Sequence, residues 1–268
     1  MQDIEGRRAL KRSEIHLWFA FTDEIRDPRL LLDYKKLLTP EEGEKQQRFY
    51  FERHRHLYLI ARALVRTTLS RYTGIPAPDL RFITNEYGRP ELDASQGDTI
   101  IRFNLSHTEG LIALGVTARQ DLGVDVEDME RRGVSTGIAD RFFSPREVSD
   151  LKKMPENRRR DRFFDYWTLK ESYIKARGMG LSIPLEQFSF HLLDKDGIRI
   201  SFDPGIDDDP GRWCFWQLRP TARHKAAIAI SCDVGAEAGY GLELQKSIPL
   251  EEESDFDCPI SNRSFILR

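Results

Sequence analysis

The chain has 268 residues, 40% hydrophobic and 32% charged, with a formal net charge of −3. That length supports a substantial core in one large domain or two small ones, and the near-neutral balance gives no general affinity for nucleic acid or an anionic membrane. The longest apolar runs, such as "GLIALGV" at 110–116, fall far short of the ~20 residues a spanning helix needs, no leader-like stretch opens the chain, and Cys214, Cys232 and Cys258 are too few for a disulfide framework or a zinc cluster, so a cytoplasmic protein is expected.

The first predicted element is a strand, "EIHLWFAF". "LLTPEEGEKQQRF" then starts a helix at Thr39-Pro40, where a hydroxyl caps, proline takes the first helical position and acids fill the first turn. Helical periodicity follows in "RHLYLIARALVRTTLSRY" (55–72), which runs into Gly74 and Ile75-Pro76. Phe82 stands in strand-like sequence, and "TNEYGRPEL" (84–92) reads as a turn with Arg89 aimed outward. "TIIRFNLSH" and "LIALGVT" are two further strands.

The same order then returns. "LGVDVED" is a strand, and "FFSPREVSDLKKM" starts a helix at Ser144-Pro145. "RFFDYWTLKESYIKARG" (162–178) is helical and is followed by Gly180, Ile183-Pro184 and Phe190. "DPGIDDDPG" (203–211) is a loop, and "RWCFWQLRP" and "KAAIAIS" close the second run as strands. The expectation is an α+β fold: a pseudo-twofold pair of similar subdomains, each a mainly antiparallel sheet with packed helices. The halves are placed at 1–119 and 120–242 with a cleft between them, and 243–268 as an exposed or disordered tail.

Three segments carry groups that could do chemistry. In "GVDVE" the side chains alternate, so Asp125 and Glu127 share one strand face roughly 6.5 Å apart. Like charges this near repel unless a cation neutralises them, and oxygen-only ligands favour Mg²⁺ or Ca²⁺. The plain alternative is a half-solvated strand end. In the helix at 162–178, Glu171 falls in a stripe with Phe163, Trp167 and Ile174, and Lys170, Lys175 and Arg177 crowd around it. One salt bridge with Lys175 would explain a single cation; an acid for a metal, ringed by cations for the metal's anionic ligand, explains all three. In "FNLSH", Ser106 and His107 end a strand, where histidine can donate to phosphate, act as a base, or simply meet water. No Gly-rich phosphate loop is present.

Taken in order, "FNLSH", "GVDVE", "RFFSPREVSDL" and "WTLKESYIKARGMGLSIPL" resemble the 4′-phosphopantetheinyl transferases of the surfactin-synthetase type, whose single chain holds two halves. The likeness spans about residues 35–195, and "NEYGRP" and "ARALVR" add to it. It implies transfer of the phosphopantetheine arm of coenzyme A to a serine of an apo acyl carrier protein or peptidyl carrier domain, releasing 3′,5′-ADP. By motif position it implies Asp125, Glu127 and Glu171 as ligands of Mg²⁺, with Mn²⁺ as the alternative. Glu171 is then the general base with Glu127 as its rival, and Lys175 contacts the pyrophosphate with Lys170 beside it. His107, Ser106 and Arg89 are implied on the coenzyme A phosphates. Glu42 stands where the family often has a lysine while Lys45 keeps the neighbouring one, which leaves Arg53, Arg55 and Arg62 as candidates for the 3′-phosphate. Both halves in one chain imply a monomer. A metal-dependent phosphoesterase and a non-catalytic carrier-binding protein of the same fold are the competing readings.

Overall fold

The computed structural model describes residues 7–97, 100–131, 136–193, 197–232 and 239–264. They form two compact units: Met1–Thr84, Pro90–Arg119 and Tyr240–Asp257 in the first, and Asn85–Arg89, Gln120–Gly239 and Cys258–Arg268 in the second.

In chain order the first unit begins with strand β1 (Glu14–Phe21) and helices α1 (Pro28–Leu37), α2 (Pro40–Arg48) and α3 (Glu52–Thr73). Strands β2 (Phe82–Thr84), β3 (Pro90–Leu92), β4 (Ile101–Thr108) and β5 (Leu111–Ala118) follow. Thr39 caps α2 in a capping box with Glu42, as its Thr-Pro start predicts. Helix α3 stops at Gly74, whose φ of 74° is a left-handed conformation that glycine adopts without steric cost. Trp18 and Ala20 of β1 and Ile112, Leu114 and Val116 of β5 share the sheet face that packs with α1 and α3.

The second unit repeats the plan. It runs through β6 (Leu122–Asp128), α4 (Ala139–Phe142), α5 (Pro145–Lys153) and α6 (Glu156–Arg177). Then come β7 (Phe188–Leu193), β8 (Gly197–Phe202), β9 (Trp213–Leu218) and β10 (His224–Ser231). Ser144 and Glu147 form the second capping box, and α6, 22 residues like α3, ends on Gly178 at φ 64°. The antiparallel order β1-β5-β4 of the first sheet is matched by β6-β10-β9 in the second. The α+β architecture expected from the sequence is what is found.

The region after Leu242 differs from expectation. Instead of a loose extension it supplies β11 (Gly241–Ile248), β12 (Glu252–Asp255) and β13 (Ile260–Arg263). β11 joins β1 in parallel and β12 pairs with β11, while β13 edges β9. The alternation in "GLELQKSI" was the signal: strand residues facing a sheet edge need only a weak apolar pattern, because ladder hydrogen bonds carry the pairing. The last four residues of that expected tail, 265–268, lie outside the described set. Cys214 and Cys232 are joined in a disulfide, one bridge rather than a framework, and Cys258 is buried and free. Among the described residues no helix is long and apolar enough to cross a membrane.

What positions the second unit's chemistry is the approach of α6 to β6. A Cβ built on Gly123 would land on the Ser172 carbonyl oxygen and the Ala176 amide nitrogen, both backbone atoms. Ala227 and Ala229 of β10, which face α6 in the second core cluster, are small for the same reason. Gly123→Ala should therefore lower stability by about 3 kcal/mol, the upper end of overpacking costs. A fall in the urea midpoint at constant m-value would show it; an unchanged midpoint would mean the helix is free to retreat.

Candidate active site

A helix advances ~6 Å in four residues, and a strand covers nearly the same distance in two. With α6 pressed onto Gly123, its residues four apart fall opposite alternate residues of β6. Trp167 Nε1 donates to Glu127 Oε1 at 3.1 Å. Lys175 Nζ donates to Asp125 Oδ1 at 2.7 Å and to the Val124 carbonyl at 3.2 Å. Glu171 lies between them on the helix. The side chains that alternate in "GVDVE" and recur every four residues in "WTLKESYIK" thus meet along one line.

Glu127 and Glu171 both feel the negative charge of Asp125. Burial, followed by the negative charge of Asp125, pushes Glu171 up to about 7. The same two causes push Glu127 up to about 7, against the pull of the Trp167 N–H, Arg131 and Lys175. Arg131 Nη1 stands 3.9 Å from Glu127. Two carboxyl groups lifted towards neutrality, first by burial and then by the neighbouring Asp125, make with it a donor set rich in oxygen. Such a set fits a hard divalent cation of the Mg²⁺ class. It is not a closed cage: among the described residues, ligand atoms gathered within 4.8 Å of one another belong instead to Glu14, His16 and Glu243. Lys175 supplies the nearest cation to Asp125.

Lys170 departs from expectation. Its side chain is 0% exposed and pairs with the equally buried Glu147 at 2.8 Å. The same ammonium donates to the carbonyls of Leu185 and Phe188, both at 2.7 Å. It cannot also reach a coenzyme A phosphate. The reason is legible in the repeat. Eight residues before its closing glycine, α3 carries Arg66 where α6 carries Lys170. Arg66 is likewise buried, pairs with the capping-box Glu42, and donates to carbonyls of Ala77 and Leu80. Each cation ties the cap of one helix to the chain leaving the next.

The remaining residues implied for coenzyme A are distributed as follows. Ser106 is buried and His107 exposed at the end of β4. Lys45 is exposed on α2, with its ammonium 5.8 Å from the Tyr58 ring centre. Arg53 is exposed and stacks 4.7 Å over Phe51. Arg55 donates to the Phe49 carbonyl. Arg62 is committed to Glu42 and lies over Phe82, so the acid that replaces a lysine at position 42 has taken Arg62 as its partner. Arg89 donates to the Ala176 carbonyl at 2.9 Å, beside Gly178, where a cation suits a helix C-terminus.

Two family models match, the 4′-phosphopantetheinyl transferase superfamily over residues 121–231 and the 4′-phosphopantetheinyl transferase N-terminal region over 28–118. The 4′-phosphopantetheinyl transferase HetI of Nostoc is 30% identical over 87% of this chain and 92% of its own. The chain belongs to the 4′-phosphopantetheinyl transferase superfamily. The 4′-phosphopantetheinyl transferase Sfp of Bacillus subtilis is 37% identical over 59% of this chain and 68% of its own length. Holo-[acyl-carrier-protein] synthase of Thermotoga maritima, a solved structure, aligns with 42% of this chain and 63% of its own at a TM-score of 0.34 and 22% identity. The protein is an enzyme of the transferase class, and in its helix α6 Lys170 is buried against Glu147 whereas the partly exposed Lys175 faces Asp125.

Lys170→Ala should cost about 3–5 kcal/mol, because it strands Glu147 as a buried uncompensated charge. Lys175→Ala, which removes a partly exposed partner of the buried Asp125, should lower the thermal midpoint less than Lys170→Ala does while transfer activity collapses. Equal melting losses in the two variants would contradict the assignment.

A second expectation concerns pH. Glu127 and Glu171 bind protons more tightly folded than unfolded, so their contribution to stability is greatest in acid and is lost as pH rises through about 7. In chelator, the drop in melting temperature from about pH 5.5 to about pH 8 should be smaller in Glu171→Gln than in the native chain. Calorimetry at the two pH values checks it.

Proposed function

We propose that this transferase moves the 4′-phosphopantetheine group of coenzyme A onto the hydroxyl of a serine in an apo carrier protein, releasing 3′,5′-ADP. The carrying observation is the convergence of Asp125, Glu127, Glu171 and Lys175 along the β6–α6 seam, in a chain of this superfamily. Asp125, Glu127 and Glu171 would hold Mg²⁺, which supplies positive charge against the charge growing on the diphosphate.

The chain's own groups then have separable tasks. Glu171, poised near neutral pH, takes the serine proton as the hydroxyl oxygen attacks the phosphorus that bears the pantetheine arm. The bond from that phosphorus to the bridging oxygen of the diphosphate breaks, and 3′,5′-ADP leaves with the electron pair. Glu127 is the less suitable base, because its Oε1 already accepts the Trp167 N–H. Lys175, drawn now to Asp125, holds diphosphate oxygens and stabilises the leaving group. His107 and Ser106 on β4, with Lys45, Arg53 and Arg89, are the proposed contacts of the coenzyme A phosphates and nucleoside. A single chain contributes every group named, which supports action as a monomer.

Incubation with coenzyme A, Mg²⁺ and a panel of apo acyl and peptidyl carriers, followed by intact mass and nucleotide analysis, tests the proposal. A carrier gaining one phosphopantetheine with release of 3′,5′-ADP is expected, and Asp125→Ala and Glu171→Gln should each lose at least ~100-fold in kcat/KM, the scale of a lost general base. Coenzyme A cleaved while every carrier stays apo would point to a phosphoesterase. Carriers bound without any reaction would point to a non-catalytic partner.

A further inference from the structure

A second polar cluster lies entirely within the first unit, on residues the transfer chemistry does not use. Glu14 and His16 are alternate residues of β1, so they share a face, and the parallel register of β11 sets Glu243 directly beside His16. Their ligand atoms lie within 4.8 Å of one another. His16 Nε2 stands 3.3 Å from Glu243 Oε2 and 3.7 Å from Glu14 Oε2.

The imidazole makes this more than a gathering of acids. His16 is 1% exposed, yet its Nε2 meets no hydrogen-bond geometry with either carboxylate despite those distances. The other ring nitrogen is engaged: Nδ1 lies 2.7 Å from the Tyr72 hydroxyl, which also accepts the Trp18 indole N–H. In the tautomer that donates Nδ1–H to that hydroxyl, the ring presents an Nε2 lone pair to whatever lies in front of it, and a metal ion selects this tautomer. Metal-bound histidines are held in this way. Charging the ring instead, to make an ion pair, carries the desolvation cost of a fully buried cation.

Packing does not demand this pair. Two residues before its closing glycine, α6 carries Ala176, which meets Gly123 of β6. At the same position α3 carries Tyr72, which meets His16 of β1. One helix–strand contact is solved with the smallest side chains available; the other spends a histidine and a tyrosine on it.

We propose that Glu14, His16 and Glu243 bind a divalent transition-metal ion of the zinc class, with Tyr72 as a positioning residue for the imidazole. An ion at ordinary Zn–N and Zn–O bond lengths holds tetrahedral ligands roughly 3.3 Å apart, which the His16–Glu243 separation matches and the Glu14 separation nearly does. One imidazole with two carboxylates suits zinc, where an oxygen-only set suits magnesium. Lys11 Nζ pairs with Glu14 Oε1, and the Lys11 backbone N–H donates to Oε2, the oxygen on the His16 side, whose second lone pair remains for the ion. Arg8 pairs with Glu243 Oε2 at 3.1 Å and is the contact the ion shares or displaces. Bound there, the ion clips β11 to β1 within the first sheet.

Zinc titrated into the chelator-stripped full chain, against a chromophoric competitor and with Mg²⁺ in excess, tests this. One tight equivalent is expected. Glu243→Gln, on a half-exposed carboxylate, should weaken it by at least ~10-fold, and Tyr72→Phe, which keeps the ring but removes the orienting hydroxyl, by ~10- to 100-fold. Asp125→Ala should retain the equivalent although it abolishes transfer, so this result stands or falls apart from the proposed function. Cobalt in place of zinc should give visible absorption that His16→Gln and Glu243→Gln remove. The absence of any tight zinc in excess Mg²⁺, or native affinity in Glu243→Gln, overturns the proposal; native affinity in Tyr72→Phe overturns the role of that hydroxyl.

Discussion

The second unit's chemistry depends on one backbone contact, the passage of α6 across Gly123. Where helix backbone meets strand backbone without an intervening side chain, the two elements are held at a separation no larger residue allows. The near-equality of four helical residues and two strand residues then does the rest. Trp167, Glu171 and Lys175 fall beside Glu127, Asp125 and the Val124 carbonyl without any loop having to place them. Functional groups carried on two regular elements inherit the rigidity of both, which suits a site that must keep three carboxyl groups together against their own repulsion.

That repulsion is sustained by the scaffold. Phe163 stacks with Trp167 and with Phe143, and the aromatic cluster continues through Tyr173, Phe188, Phe190 and Phe215. Beneath it the Lys170–Glu147 pair joins the α5 cap to the segment leaving α6, as Arg66–Glu42 does for α2 and α3. A buried pair of this kind is weak evidence for net stability, but with its carbonyl bonds each cation fixes where the cap and the departing segment lie. Its duplication explains why the lysine beside the motif acid is a structural element, while the lysine four residues past that acid meets Asp125 instead.

Much of this was legible from local chemistry. The two Thr/Ser-Pro starts are capping boxes, the two glycines end 22-residue helices, and the Asp125/Glu127 alternation and the Glu171/Lys175 spacing share a seam. The errors are equally physical. Burial of Lys170 cannot be read from a helix that shows cations on every side, because which face is inward is set by the sheet it packs on. The strands after Leu242 carry an alternation too weak to stand alone, and the edges of β1 and β9 give β11 and β13 something to pair with. The Cys214–Cys232 bridge joins residues at the ends of paired strands, a closeness that a sequence separation of 18 conceals.

Sequence by itself determined the element types and order, the duplication, and the residue classes able to do the chemistry, because caps, turns and alternation are local and each reports on a few neighbouring residues. Tertiary structure alone decided which cation is buried and which faces Asp125, how far Glu127 and Glu171 are lifted towards neutrality, and that Glu243 stands beside His16. Those are consequences of desolvation and of contact between segments distant in the chain, and neither quantity exists until the chain has folded.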